Sequence, residues 1–290
     1  MKYKKISFAL VTIGLICTYL CEGSFSILSE PRQSCAGYDG IANAIAALTE
    51  SVSGQTQQVD PLLVLQSKLT DLLKSVRIYK SCDDVTGPPG LYRVRDGIVP
   101  RYFFCETQVQ GGRWTVIQRR IEGKLNFTRS FTEYTGGFGH PNNEFWIGLT
   151  RINGITSQSQ HELMIYMEAF DGANATVRYT DFKIGNLSDN FRLTSLGNYS
   201  GTLTANSFST SLNKSFSTFD KDQDTSNTTN CARVWGGGWW FNNCGDSNLN
   251  GFYRGPTPTT TPKTSMTWAA FKGNSQPLKA SIMMIRKFIP

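Results

Sequence analysis

Asp220-Lys-Asp222-Gln-Asp224 sets carboxylates at alternate positions. Side chains spaced this way can converge on one hard cation through oxygen ligands. The pattern is not an EF-hand loop, because its sixth position is Thr225 rather than Gly and its twelfth is Cys231 rather than Glu. Taken alone, the five residues read first as a charged, solvated turn. Their neighbourhood favours the cation. Thr225-Ser-Asn-Thr-Thr-Asn230 is a polar stretch able to offer backbone carbonyls, and a disulfide partner at Cys231 would pin its far end. Next comes Trp235-Gly-Gly-Gly-Trp-Trp-Phe-Asn-Asn-Cys244, rich in rings and glycine. Glycine lets backbone approach closely, and aromatic faces pack on apolar groups or sugar C–H faces. Trp239 and Trp240 read as core; Trp235 and Phe241 read as more open walls of a pocket.

Other chemistries fail on residue type. The chain has two His, His140 and His161, far from any Cys, so zinc sites and His-based relays have no support. Gly245-Asp-Ser247 looks like the nucleophile turn of a trypsin-like protease, but that site needs Gly after the Ser, and Asn248 follows here. No P-loop, Gly-x-Ser-x-Gly elbow or dinucleotide fingerprint is present. The expectation is a binding protein, not an enzyme.

The elements that must position these residues begin with a compartment. Lys2, Lys4 and Lys5 precede the mostly apolar run 6–20, and small residues follow at Gly23 and Ser24. Residues 1–23 therefore read as a secretory signal, leaving no membrane span in the mature chain. Its removal takes the formal charge from +7 to +5. The remaining basic residues are scattered, which argues against nucleic acid. Cys35, Cys82, Cys105, Cys231 and Cys244 remain, an odd number in an oxidising compartment, so a bond between chains is expected. Asn-x-Ser/Thr sequons at Asn126, Asn174, Asn186, Asn198, Asn213 and Asn227 predict glycosylation in exposed positions.

Residues 24–81 lack Trp and hold Leu62, Leu65, Leu69, Leu72 and Val76 in a 3-4-3-4 spacing, a short coiled-coil seam. Asp60 can cap this helix and Pro61 suits its first turn. Upstream, Ser51, Gln55 and Gln58 interrupt the register, so a single amphipathic helix is the competing reading. Cys35 is the thiol placed to clamp neighbouring chains, and a homo-oligomer is expected. From residue 82 the texture changes to short strands: 114–118, 144–149, 162–168, 175–179 and 281–286. Residues 256–265, with three Pro, read as a loop. The class is α+β, with a central, largely antiparallel sheet and long loops.

Residues 82–290 resemble the fibrinogen C-terminal globular domain, shared by ficolins, tachylectins, angiopoietins, tenascins and fibrinogen chains. The resemblance rests on Gly112-Arg-Trp-Thr-Val-Ile-Gln-Arg-Arg120, Gly137-Phe-Gly, Glu144-Phe-Trp-Ile-Gly-Leu149, Phe216-Ser-Thr-Phe-Asp-Lys-Asp-Gln-Asp224, Asn230-Cys-Ala, Gly238-Trp-Trp-Phe and Ser247-Asn-Leu-Asn-Gly-Phe-Tyr253, in order along the chain. It implies disulfides Cys82–Cys105 and Cys231–Cys244, leaving Cys35 over. It also implies Ca2+ on the side chains of Asp222 and Asp224 and on backbone carbonyls near Ser226 and Thr228. One extra residue before Cys231 can slip the second carbonyl to Thr229. In the family's lectins the pocket lies beside this loop, around a cis bond that would fall at Asn243–Cys244, with Trp235, Asn243, Cys244, Gly245 and Tyr253 mapping near it. Gly245 stands where acetyl-binding members often carry His, a pattern closer to angiopoietin-type domains. Val234 and Trp235 replace the polar residues of a fibrin-type knob pocket. The leading expectation is a secreted, calcium-dependent, lectin-like protein binding glycans or acetylated groups on cell or microbial surfaces. The alternative is an angiopoietin-like or tenascin-like ligand or matrix protein for a cell-surface receptor.

Overall fold

A computed structural model describes residues 61–258 and 264–289. The signal segment, Cys35 and the upstream heptad positions lie outside the described residues. Helix α1 (Pro61–Val76) starts at Pro61, whose fixed φ suits a first helical turn and whose missing N–H costs nothing there. Within it Leu62 is exposed, while Leu65 and Leu69 are half-buried. Among the described residues no helix is long and apolar enough to cross a membrane.

Ile78–Pro290 forms a separate compact unit. In chain order it contains β1 (Ile78–Tyr79), β2 (Gly90–Val94), β3 (Arg101–Glu106), β4 (Trp114–Arg120), α2 (Phe131–Gly136), β5 (Phe138–Gly139), β6 (Phe145–Trp146) and α3 (Leu149–Thr156). Then follow β7 (His161–Ala169), β8 (Asn174–Tyr179), β9 (Lys183–Ile184), β10 (Leu193–Ser195), β11 (Tyr199–Gly201), α4 (Cys231–Trp235), β12 (Ser247–Asn248), β13 (Thr267–Trp268), α5 (Ala269–Lys272) and β14 (Leu278–Lys287). The main sheet runs β1-β2-β3-β4-β14-β7-β8-β11, with β6 also on β4 and β5 on β6. Its pairs are antiparallel except β1 with β2, so the sheet is mixed. The last strand, β14, lies between β4 and β7, with Met283 opposite both Gln118 and Ile165.

Two expected strands come out differently. Only Phe145–Trp146 of 144–149 is extended. Gly148, at φ +108°, turns the chain into α3 at Leu149. The strand expected over 162–168 is β7, and its residues 161–165 are all buried rather than alternating in and out, because β7 sits between β14 and β8 with both faces covered. The 3-10 turn Cys82–Asp84 is tied to β3 by the Cys82–Cys105 bridge. Above the sheet, Trp146, Tyr134, Phe216, Trp239 and Trp240 form one aromatic cluster, with ring centroids 5.1–6.3 Å apart.

Candidate functional site

The acidic loop is split between anchoring and exposed groups. Asp220 is exposed but anchored: its Oδ1 accepts the Phe131 N–H at 3.0 Å and the Thr218 hydroxyl at 2.7 Å, fixing the loop to the start of α2. Lys221 donates to Asn190 Oδ1 at 2.7 Å and lies 4.0 Å from the Phe131 ring centre. Gln223 N–H donates to Ser217 Oγ at 2.8 Å. That leaves Asp222 exposed and Asp224 half-buried. Asp224 closes the loop on itself, with Oδ1 accepting Ser226 N–H and Oδ2 accepting Cys231 N–H, each at 2.8 Å. Thr225 bridges to the next segment, its hydroxyl donating to Asn242 Oδ1 at 2.6 Å. The Cys231–Cys244 disulfide joins the same two segments.

The loop fits a cation on the chemistry of its donors. Burial pushes the Asp224 carboxyl above the usual carboxylate range, two backbone N–H groups pull it back, and the Asp222 carboxylate alongside pushes it up again. Two carboxylates this close repel when both are ionised, and a divalent ion between them removes that cost. Among the described residues no group of three or more His, Cys, Asp or Glu gathers as a metal site. A cation here would therefore need backbone carbonyls beside the two carboxylates, and Ser226 and Thr228 stand on the loop's outer turn. Asn227, between them, is exposed.

Beyond the bridge, Trp235 ends α4 half-buried, its ring 5.8 Å from that of Phe241 at an interplanar angle of 84°. Phe241 itself is sealed, which corrects the expectation of an open pocket wall: it packs in the core with Trp239 and Trp240. The Asn243–Cys244 bond is trans, correcting the expected cis bond. The chain turns there instead by left-handed backbone, φ +54° at Cys244 and +93° at Gly245. Asn243 is exposed and Cys244 buried. Tyr253 turns toward β14, its hydroxyl donating to Lys279 O at 2.9 Å and its ring packed on Gly123. It lines a cleft of ≈ 250 Å³ with Arg120, Gly123 and Phe127, in which Trp235, Asn243 and Cys244 take no part. Ser247 is buried in the β12–β13 ribbon.

With this geometry in hand, residues 80–288 match the family described as fibrinogen beta and gamma chains, C-terminal globular domain. The chain belongs to the fibrinogen C-terminal domain family. Its fibrinogen-like domain is 40% identical over 198 residues to angiopoietin-related protein 6 of Mus musculus, covering 68% of this chain and 43% of the relative. It is 36% identical over 221 residues to angiopoietin-4 of Homo sapiens, covering 74% and 44%. The chain thus spans less than half the length of the curated relatives it matches. Among solved structures, the fibrinogen-like globe domain of human ANGPTL6 superposes with a TM-score of 0.70 at 36% identity, covering 73% of this chain and 96% of that one. A lamprey fibrin D-dimer complexed with a Gly-His-Arg-Pro-amide peptide shares the fold, at a TM-score of 0.67 and 24% identity.

Sequence reasoning missed the parts that hold the fibrinogen-like loops in place. Glu144, buried, gathers the 121–125 loop: Oε1 accepts the N–H groups of Ile121, Glu122 and Gly123 at 2.9, 3.2 and 2.9 Å, and Oε2 accepts Leu125 N–H at 2.9 Å. Burial alone would raise its carboxyl, but the four N–H donors bring it below its ordinary 4.5. Gln118 donates to Leu249 O and Asn250 Oδ1 and accepts the Ser281 hydroxyl on Oε1, linking the sheet to the segment after the bridge. Arg120 donates to Gly251 O at 3.0 Å with its guanidinium 3.9 Å from the Phe127 ring centre, and burial lowers it to about 10. No local spacing marks these contacts, which join residues up to 163 positions apart. All six sequon asparagines are exposed.

Proposed function

We propose that the mature chain is a secreted recognition protein whose fibrinogen-like domain docks on a cell-surface receptor, in the manner of an angiopoietin-like ligand. Gly245 carries this reading. Its φ of +93° is strained for any L side chain, and a β-carbon there would sit 3.2 Å from Thr210 Oγ1. A ring over the pocket at this position, as in acetyl-binding lectins, conflicts with that backbone. The likeness to angiopoietin-related protein 6 and angiopoietin-4 supports the same side. Glycan or acetyl-group binding is the second reading, with the half-buried Trp235 as its ring. Residues 24–81 with Cys35 would join copies, so that several weak contacts act together. The test is capture of biotinylated cell-surface proteins by the full chain, run beside a glycan array with and without chelator. A saturable, protease-sensitive surface protein is the expected result. Chelator-sensitive glycan binding with no protein captured would replace this reading by the lectin one.

Calcium belongs to the proposal as a brace. Asp222 and Asp224, with backbone carbonyls near Ser226 and Thr228, would hold it, and the ion would supply positive charge between the two carboxylates. Calcium is expected to raise Tm by several degrees over chelator, since ligand binding to the folded state alone stabilises by mass action, and about 1 kcal/mol moves Tm roughly 2–4 °C at this size. Asp222→Asn should lose the calcium response while melting no lower than wild type in chelator, because it removes the repulsion on Asp224. Identical wild-type melting curves with calcium and with chelator would contradict the brace.

A further inference from the structure

The turn joining β2 to β3 is apolar where turns are ordinarily polar. Asp96 and Gly97, the latter at φ +67°, supply what the turn itself needs. Ile98 and Val99 are not required by it, and they stand 100% and 65% exposed. Tyr102 follows at 51%. Three large apolar groups within five residues at a convex tip differ from the single exposed residues that any surface carries.

The tip is rigidly mounted. Asp96 is held by Arg101 at 3.2 Å and by Arg151 at 2.8 Å. Arg151 in turn donates to the carbonyls of Gly136 and Ile147 at 2.6 and 2.7 Å. The Cys82–Cys105 bridge fastens the hairpin's other end. Cations stand behind the tip. Arg101 has 58% of its side chain exposed, Arg95 and Lys80 are exposed, and Arg93 lies directly across from Tyr102. Asp96, in the turn itself, is already paired twice, while Asp83, Asp84 and Glu106 lie at the bridge end. None of the six sequons falls in residues 61–125.

We propose that this hairpin is a docking tip for an anionic phospholipid surface. The order along it matches the depth profile of a bilayer edge. Ile98 and Val99 lead, and Arg101, then Tyr102 paired across the hairpin with Arg93, follow within about 7–10 Å at the strand rise of about 3.4 Å per residue. Apolar side chains enter the acyl boundary, Tyr settles at headgroup level, and cations pair with phosphate and anionic headgroups. A receptor hot spot is usually a recessed aromatic pocket ringed by other contacts, whereas this is a convex aliphatic point. The cations are Arg and Lys, so binding is independent of pH near neutrality and weakens with salt. It uses neither Asp222 nor Asp224 and needs no calcium.

The experiment is co-sedimentation of the full chain with protein-free vesicles of phosphatidylcholine, alone or with roughly one-third phosphatidylserine, in chelator. Wild type is expected to pellet with the anionic vesicles and stay in solution with the neutral ones. Ile98→Ser with Val99→Ser should weaken binding about tenfold or more, given the apolar area removed. Lys80→Gln with Arg95→Gln should weaken it and flatten its salt dependence. Unchanged melting shows that the variants fold. The proposal is overturned by equal pelleting with neutral vesicles, by no pelleting with either, by an undiminished Ile98→Ser/Val99→Ser variant, or by uptake that appears only with calcium. Because the vesicles hold no protein, none of these outcomes depends on whether a receptor exists.

Discussion

Glu144→Ala is expected to destabilise the fibrinogen-like domain by about 3–5 kcal/mol, at about 1 kcal/mol for each of four hydrogen bonds to its carboxylate. Four backbone N–H groups, from Ile121, Glu122, Gly123 and Leu125, lose their acceptor inside the protein. At roughly 2–4 °C per kcal/mol this is a loss of at least about 6 °C in Tm, measured by calorimetry. The pH dependence follows from the carboxyl sitting below its ordinary 4.5. Its stabilisation is complete above the unfolded-state value and fades as pH falls through the lower folded value. Wild type should therefore lose stability on acidification below about pH 4.5. Glu144→Gln should melt lower at neutral pH and lose less over the same interval, because its side chain does not titrate. A Glu144→Ala protein that melts like wild type would show that the loop holds without its acceptor.

Gly237→Ala is expected to be more damaging still. The β-carbon would fall 1.9 Å from Asn250 O, a backbone atom that has nowhere to retreat, and φ is +68°. Asn250 is itself fixed, donating to Gly238 O at 2.9 Å and receiving Gln118 Nε2 at 3.2 Å. The bare left-handed penalty is about 1 kcal/mol. The collision adds the displacement of a buried segment that carries Asn248 and its bonds to the carbonyls of Trp235 and Gly236. Expression trials should give little folded protein, or a Tm lower by roughly 10–20 °C if about 5 kcal/mol is lost. Gly255→Ala, where a β-carbon meets nothing within 4 Å, should be silent in the same assay. A well-folded Gly237→Ala protein would show that the packing of Gly237 on Asn250 is looser than the contacts imply.

Much of the site was legible because its chemistry is local. Asp222, Asp224 and Cys231 lie within ten residues, and the Trp235–Cys244 run follows at once, so composition and spacing alone drew attention to them. Within that run the reading split. Trp239 and Trp240 were recognisable as core, but Phe241 was read as open and is sealed, because burial depends on which segments fold over a residue. Tyr253 was placed beside Cys244 by position in the family pattern. Its hydroxyl instead finds Lys279 O on β14, a partner 26 residues away.

The amino-acid sequence by itself determined the family and the strands β4, β8 and β14. Short-range periodicity and the identity of neighbouring residues carry that information. Tertiary structure decided which carboxylate anchors the loop to a distant segment, Asp220 on the Phe131 N–H. It also brought β14 between β4 and β7, gathered the 121–125 loop around Glu144, and set Ile98 at a bare tip between strands braced elsewhere. Each of these is a pairing between distant segments, settled by which donors, acceptors and apolar faces satisfy one another only once the chain has closed.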